Sequence, residues 1–196
     1  MTLIRPIAVP AITIFDLEYT AWECSMANNW LRPGEFKEVV QIGAVKVAAD
    51  TFEKLAEFEV LVKPRINPVL SPYFEKLTGI TSEHVALRGL DFAAAYDRFL
   101  DFALATPICA YGHDERVLED NLRLYGITGA RPLPMFRDLR CWFAANNVDP
   151  RGLYSCDIGA ALGVPFQGRA HNALDDARTL AAGMEVLAGR GAILAA

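Results

Sequence analysis

Residues 11–20 read AITIFDLEYT, and the fold turns on this stretch. Ile12 and Ile14 alternate with Thr13 and Phe15, which predicts a strand over 11–18 that is buried on both faces. Side chains two apart on a strand share a face, so Asp16 and Glu18 point the same way from the end of an otherwise apolar strand. Two carboxylates about 4 Å apart repel by roughly 4 kcal/mol at an effective dielectric near 20. A divalent cation offsets that repulsion directly, and Mg²⁺ and Mn²⁺ prefer oxygen ligands of this kind. The spacing alone decides little, because 24 acids in 196 residues produce an acid-x-acid pair about three times by chance. Glu57 and Glu59 make another such pair on a second predicted strand, where Ala56, Phe58 and Val60 alternate with the acids as on an ordinary solvated face. Asp16 differs in its apolar surroundings.

The composition sets the frame. Lys plus Arg is 19 and Asp plus Glu 24, giving −5 at pH 7, with 53% hydrophobic and 22% charged residues. That balance excludes a disordered chain. The length suits a single domain over 1–196, with a core over about 11–188, and such a chain buries roughly 70% of its unfolded surface. No apolar run reaches the roughly 18 residues of a membrane span. The apolar stretch at 11–15 is too short for a signal sequence and runs into Asp16, so a cytoplasmic location and no membrane partner are expected. Cys24, Cys109, Cys141 and Cys156 form no CxxC and no zinc-spaced cluster, which predicts reduced, mostly buried thiols. The mild acidity argues against sequence-blind coating of DNA, yet leaves room for a nucleic-acid enzyme with its acids gathered in a metal site.

Further strands are predicted at 39–47, 58–62, 107–111 and 135–139, five in all. Residues 19–36 read as an irregular excursion holding Trp22, Trp30 and the turn pair Pro33-Gly34. Helices are predicted at 71–77, with Pro72 in the first turn, and at 91–104, 114–125, 139–146, 155–162 and 172–188. Three early strands followed by alternating helices and strands describe an α/β domain with a mixed sheet.

The last predicted helix opens with His171-Asn172-Ala173-Leu174-Asp175-Asp176-Ala177. Asn172 is the natural N-cap, which puts Asp175 at the third helical position and Asp176 one turn in. On one continuous helix His171 and Asp176 point well apart; with His171 in the loop before the cap, both can face one cavity. A surface-loop histidine and an ordinary helix-start acid are the plain alternatives, and an imidazole beside a metal is a natural general base. Upstream, YGHDERVLEDNL at 111–122 joins a short strand to a helix. Asp114 serves there either as a helix cap or as a third acidic ligand, and Glu115 competes with it for the second role.

In that order, FDLEYT at 15–20, a lone Asp before a middle helix and HNALDDARTL at 171–180 resemble the DEDDh exonuclease superfamily. The resemblance covers roughly 11–188, and FEKLTGIT at 74–81 is similar to the family's segment before its long helix. It implies an RNase H-like three-layer fold, with a mixed sheet of about five strands flanked by helices. His171, rather than a tyrosine, separates the chain from the DEDDy branch, and the polar-aromatic excursion after the first motif is more like the branch of histone-mRNA and small-RNA 3′ exonucleases. Asp16, Glu18, Asp114 and Asp176 are thereby implied as ligands of two Mg²⁺ or Mn²⁺ ions, and His171 as the general base. The implied reaction is hydrolysis from a single-stranded 3′ end, RNA favoured over DNA, releasing nucleoside 5′-monophosphates. Two divalent ions bring −5 to −1, which eases the approach of a phosphodiester.

Leu17, Tyr19, Thr20 and Trp22 lie beside the catalytic pair and are candidate contacts for the terminal nucleotide, with Arg169 as a phosphate contact. Tyr19 stands where a small residue is common in the family, so the nucleotide pocket is expected to differ in size. Arg116, Arg137 and Arg140 read as surface solubility. The competing readings are a DNA-directed 3′–5′ exonuclease in repair or proofreading and a catalytically silent binding module on the same fold. The silent module predicts a broken carboxylate set, whereas all five residue types are present.

Overall fold

The protein is described here by a computed structural model covering residues 11–104 and 106–192. The remaining residues of the expected 1–196 domain lie outside those described. Among the described residues six strands form one sheet in the order β4-β3-β2-β1-β5-β6. They are β1 (Ala11–Tyr19), β2 (Val39–Ala48), β3 (Lys54–Lys63), β4 (Leu90–Asp91), β5 (Ile108–Ala110) and β6 (Phe136–Asp138). β1–β2 and β2–β3 pair antiparallel, and β1–β5, β5–β6 and β3–β4 pair parallel. The fold is the RNase H-like mixed sheet, with six strands rather than five. The added strand is the two-residue edge β4, too short to leave a periodicity in the sequence.

Among the described residues seven helices flank the sheet: α1 (Pro72–Thr78), α2 (Ser82–Arg88), α3 (Phe92–Ala103), α4 (Asp114–Leu124), α5 (Leu139–Ala145), α6 (Ile158–Ala161) and α7 (Ala173–Ala188). Ile12 and Ile14 of β1 pack with Leu139, Phe143, Ile158 and Leu180 from α5, α6 and α7. Phe15 and Leu17, on the opposite face, pack with Phe92, Phe99 and Leu118 from α3 and α4. The strand is thus buried on both sides, as its residues dictate. The expected helix at 155–162 is a 3₁₀ turn at Ser155–Asp157 followed by α6. α2 was not anticipated; Thr81 caps it by accepting from the His84 N–H. Of the four free cysteines only Cys109 is fully buried and two are exposed, which corrects the expectation of mostly buried thiols.

Two contacts fix α7 relative to β1. Gly43 on β2 pairs with Asp16, and a Cβ on Gly43 would lie 2.1 Å from the backbone nitrogen of Leu174, so only glycine admits α7 this close. Buried Gln41 accepts from the Ala173 N–H at 2.9 Å and donates to Glu59 at 2.6 Å. On the far side, Asn121 of α4 accepts from the Val39 N–H and donates to the Lys37 carbonyl, which holds α4 against the start of β2.

Candidate active site

Ile12, Ile14, Asp16 and Glu18 alternate along the α7-facing side of β1, so the acids begin where the apolar packing stops. Asp176 reaches the same place from α7. Asn172 caps that helix as expected, accepting from the Asp175 N–H at 3.2 Å, and His171 sits just before the cap. His171 has φ +61, a region that costs a non-glycine residue on the order of 1 kcal/mol and turns its imidazole back toward Asp176. Asp114, the first residue of α4, enters from the other side of β1 and accepts from the Leu17 N–H. Glu115 instead meets His113 at 3.2 Å and Arg116 at 3.6 Å. All five expected residues therefore line one cleft of about 690 Å³, and Asp114 rather than Glu115 faces it.

Asp16, Glu18 and Asp176 are at most 8% exposed. Burial, then repulsion from Asp114, Asp176 and Glu18, holds the Asp16 carboxyl well above the ordinary range. Burial, then Asp176 and Asp114, does the same to Glu18. Asp114 is pushed up to about 7 by burial and Glu115, and Asp176 to about 7 by burial, against hydrogen bonds from Ser155 and the His171 backbone. His171 is held below its usual value, mainly by burial. It is therefore predominantly neutral at pH 7, with a ring nitrogen able to accept a proton.

The donor set fits hard divalent cations. Glu18, His171 and Asp176 each offer a ligand atom within 4.8 Å of the others. Oδ1 of Asp176 is buried without a hydrogen-bond partner, an acceptor for which a cation is the natural complement. Asp16 is electrostatically coupled to the same group and Asp114 closes it from the α4 side.

The predicted substrate contacts divide. Leu17, Tyr19 and Trp22 line the cleft. The Tyr19 ring lies 5.4 Å from Trp30, and its hydroxyl is held far above its usual value by burial and by Asp114. Thr20 does not line it; its hydroxyl is buried, donating to the Phe36 carbonyl and accepting from the Glu38 N–H. Arg169 does not either; its guanidinium donates to the Lys76 and Leu77 carbonyls of α1, because that helix end leaves carbonyls unpaired. Arg140, expected as plain surface, reaches the cleft edge paired to Asp138 at 2.7 Å. Tyr73, Phe74 and Leu77 of α1, and Ser155, also line the cleft and are not foreseen in the sequence. The one sequence signal for the α1 wall was the segment FEKLTGIT.

The cleft thus gathers, on an RNase H-like sheet, the Asp-x-Glu, middle Asp and His-x4-Asp motifs by which the sequence resembles the DEDDh exonucleases. The chain belongs to the Exonuclease (RNase_T) family, whose family model matches residues 13–184. It is 27% identical over 194 residues to ERI1 exoribonuclease 2 of Danio rerio, a match covering 87% of this chain and 33% of that protein. The chain thus spans about a third of the length of that curated relative. Among solved structures it is similar to the nuclease domain of 3′hExo, a DEDDh family member, bound to rAMP, with TM-score 0.80 and 24% identity over 96% of both chains. It is also similar to a 3′-exonuclease in a structure of 3′-end specific recognition of the histone mRNA stem-loop, with TM-score 0.78, 23% identity and coverage of 95% of this chain and 84% of that one.

Proposed function

We propose that this chain is a metal-dependent exonuclease that trims single-stranded nucleic acid from the 3′ end, RNA in preference to DNA, and releases nucleoside 5′-monophosphates. The observation that carries this reading is the convergence of acids from β1, α4 and α7 on one imidazole inside a single cleft. Preference for RNA is supported by the relatives, one an exoribonuclease and one bound to rAMP.

Asp16, Glu18, Asp114 and Asp176 would hold two Mg²⁺ or Mn²⁺ ions. Bound there, such ions supply an activated water and offset the charge on the leaving 3′-oxygen. His171 takes the water's proton on a ring nitrogen, a role favoured by the burial that keeps it neutral. Leu17, on the opposite face of β1 from the two acids but still lining the cleft, wedges against the terminal base. Tyr19 and Trp22 on one side, and Tyr73 on α1, offer aromatic faces for stacking.

The test uses 3′- and 5′-labelled RNA and DNA oligomers with Mg²⁺, Mn²⁺ or EDTA. Shortening from the 3′ end only with metal, and faster on RNA, is expected. Asp16→Asn should abolish it with the fold intact, because the shape is kept. His171→Ala should lose most turnover while calorimetry still detects Mn²⁺ binding. Loss from the 5′ end, or activity in EDTA, would refute the proposal. Faster loss of DNA would replace its substrate, and a wild-type chain that binds oligomers without shortening them would indicate a silent module.

A further inference from the structure

We infer that Arg169 is a positioning residue for His171, strapping the loop that carries the imidazole to the C-terminal end of α1. The inference rests on the reading of His171 as the general base. α1 ends at Thr78, and Gly79 donates its N–H to the Glu75 carbonyl, leaving the next two carbonyls without a helical partner. The Arg169 guanidinium takes both, at 2.9 Å from Lys76 O and 3.5 Å from Leu77 O. It lies against the bare Cα of Gly79, where a Cβ would come within 2.7 Å of the guanidinium carbon.

The backbone of the loop is clamped as well. The Arg169 N–H donates to Asp175 Oδ2 at 2.9 Å, and Asp175 Oδ1 accepts from Arg178 at 2.7 Å. Arg169 O accepts from the Asn172 N–H at 3.2 Å, closing a turn whose third residue is His171. That position has φ +61, a conformation that favours glycine, so the loop does not hold the imidazole by its own preference. Surrounding contacts must impose it: Tyr154 packs edge-on against the imidazole at 6.2 Å, Asp175 of α7 takes the Arg169 N–H, and the guanidinium ties the loop across to α1. Because α1 also carries Tyr73, Phe74 and Leu77 into the cleft, the strap fixes the imidazole relative to the apolar wall of the site. Arg169 itself lines a separate groove with Thr78, Gly79 and Arg98.

The test uses the full chain with R169A, R169K, G79A and the R169A/G79A pair. Turnover is followed on a labelled RNA oligomer with Mn²⁺, and hydrogen exchange of segment 168–172 is measured in EDTA. R169A should lower kcat about tenfold, leave KM within about twofold, and speed exchange at 168–172 by about fivefold. R169K retains a donor for the carbonyls and should recover part of both. G79A displaces the guanidinium without removing its charge and should mimic R169A, with the double variant no slower than the worse single. A raised KM at unchanged kcat would make Arg169 a phosphate contact and overturn the inference, as would unchanged exchange at 168–172 in R169A. A wild-type chain that degrades nothing sinks the proposed activity alone, since the exchange measurement still decides the strap.

Discussion

The sheet carries two acid-x-acid pairs of identical spacing, Asp16/Glu18 on β1 and Glu57/Glu59 on β3, and their surroundings assign them opposite tasks. Glu57 is exposed to solvent and accepts from Lys54 at 2.8 Å and from Arg178 at 2.9 and 2.7 Å, which lowers its carboxyl to about 2. Glu59 is occupied by Gln41. The β1 pair is buried, and its principal charged neighbours are further acids, which raise it. Buried charge is not itself the mark of a site. Glu38 is fully buried, yet it accepts from the N–H groups of Arg65, Ile66 and Asn67, from the Asn67 side chain and from the Tyr125 hydroxyl, and simply pins the segment after β3. The proposed site differs from Glu38 in gathering several buried acids with too few donors, a standing electrostatic cost that cations can relieve.

The largest expected effect separates the two pairs by activity. Glu18→Gln should lower turnover by about a hundredfold or more, through a lost cation ligand, while Glu57→Gln stays within about twofold. Single-turnover rates on the same oligomer check this, and equal losses would erase the distinction. Next is Gly43→Ala, which changes no charge. Its Cβ would meet the backbone of Ala173 and Leu174 at 2.3 and 2.1 Å, so α7 must retreat from β1 and carry Asp176 and His171 with it. Destabilisation of about 1–3 kcal/mol in urea unfolding is expected, with weaker Mn²⁺ binding by calorimetry. Undiminished Mn²⁺ affinity would mean that this close approach does not assemble the cation group.

Much of this was legible in the chain because it depends on short-range pattern. The two-sided apolar character of 11–15, the Asn172 cap and the order of acids read directly, and α7 begins where its cap requires. Whatever depends on another element did not read. Leu90 and Asp91 form a strand only because Val62 and Lys63 offer them an edge. Arg169 reads as a phosphate contact until the carbonyls of α1 appear beside it, and Thr20 looks like a cleft residue until Phe36 and Glu38 claim its hydroxyl. Asp114 and Glu115 are indistinguishable in sequence, because the facing of adjacent helix-start residues is set by where α4 docks.

The pH dependence of the metal-free protein sharpens the contrast further. Asp114 and Asp176 titrate near 7 when folded and near 4 when unfolded, so between those values the folded state binds more protons. Stability should then fall as pH rises from about 4 to 7. Melting in EDTA should give a lower Tm at pH 8 than at pH 5. Saturating Mn²⁺ should raise the pH 8 value most, since cations bind the folded state alone. Asp176→Asn should flatten the EDTA profile. A Tm that rises steadily from pH 5 to pH 8 in EDTA would mean that burial does not keep these acids protonated in the folded state.

The smallest effect belongs to the β3 pair and runs the other way. Glu57 is lowered to about 2 when folded, so its contribution is fully present above the unfolded value near 4.5 and disappears as pH falls toward 2. The Glu57 and Arg178 side chains keep 26% and 42% of their surface in water, so solvent and salt screen the pair. Glu57→Gln should therefore cost only about 0–1 kcal/mol at pH 7. That cost should shrink in about 1 M salt and vanish near pH 2, while a variant of the β1 pair remains insensitive to salt because its acids lie out of solvent. Urea unfolding of the two variants at low and high salt makes the comparison. A Glu57→Gln cost of several kcal/mol would show that the exposed pair holds α7 to β3 by more than screened charge, and the two pairs would no longer be a contrast between a solvated face and a site.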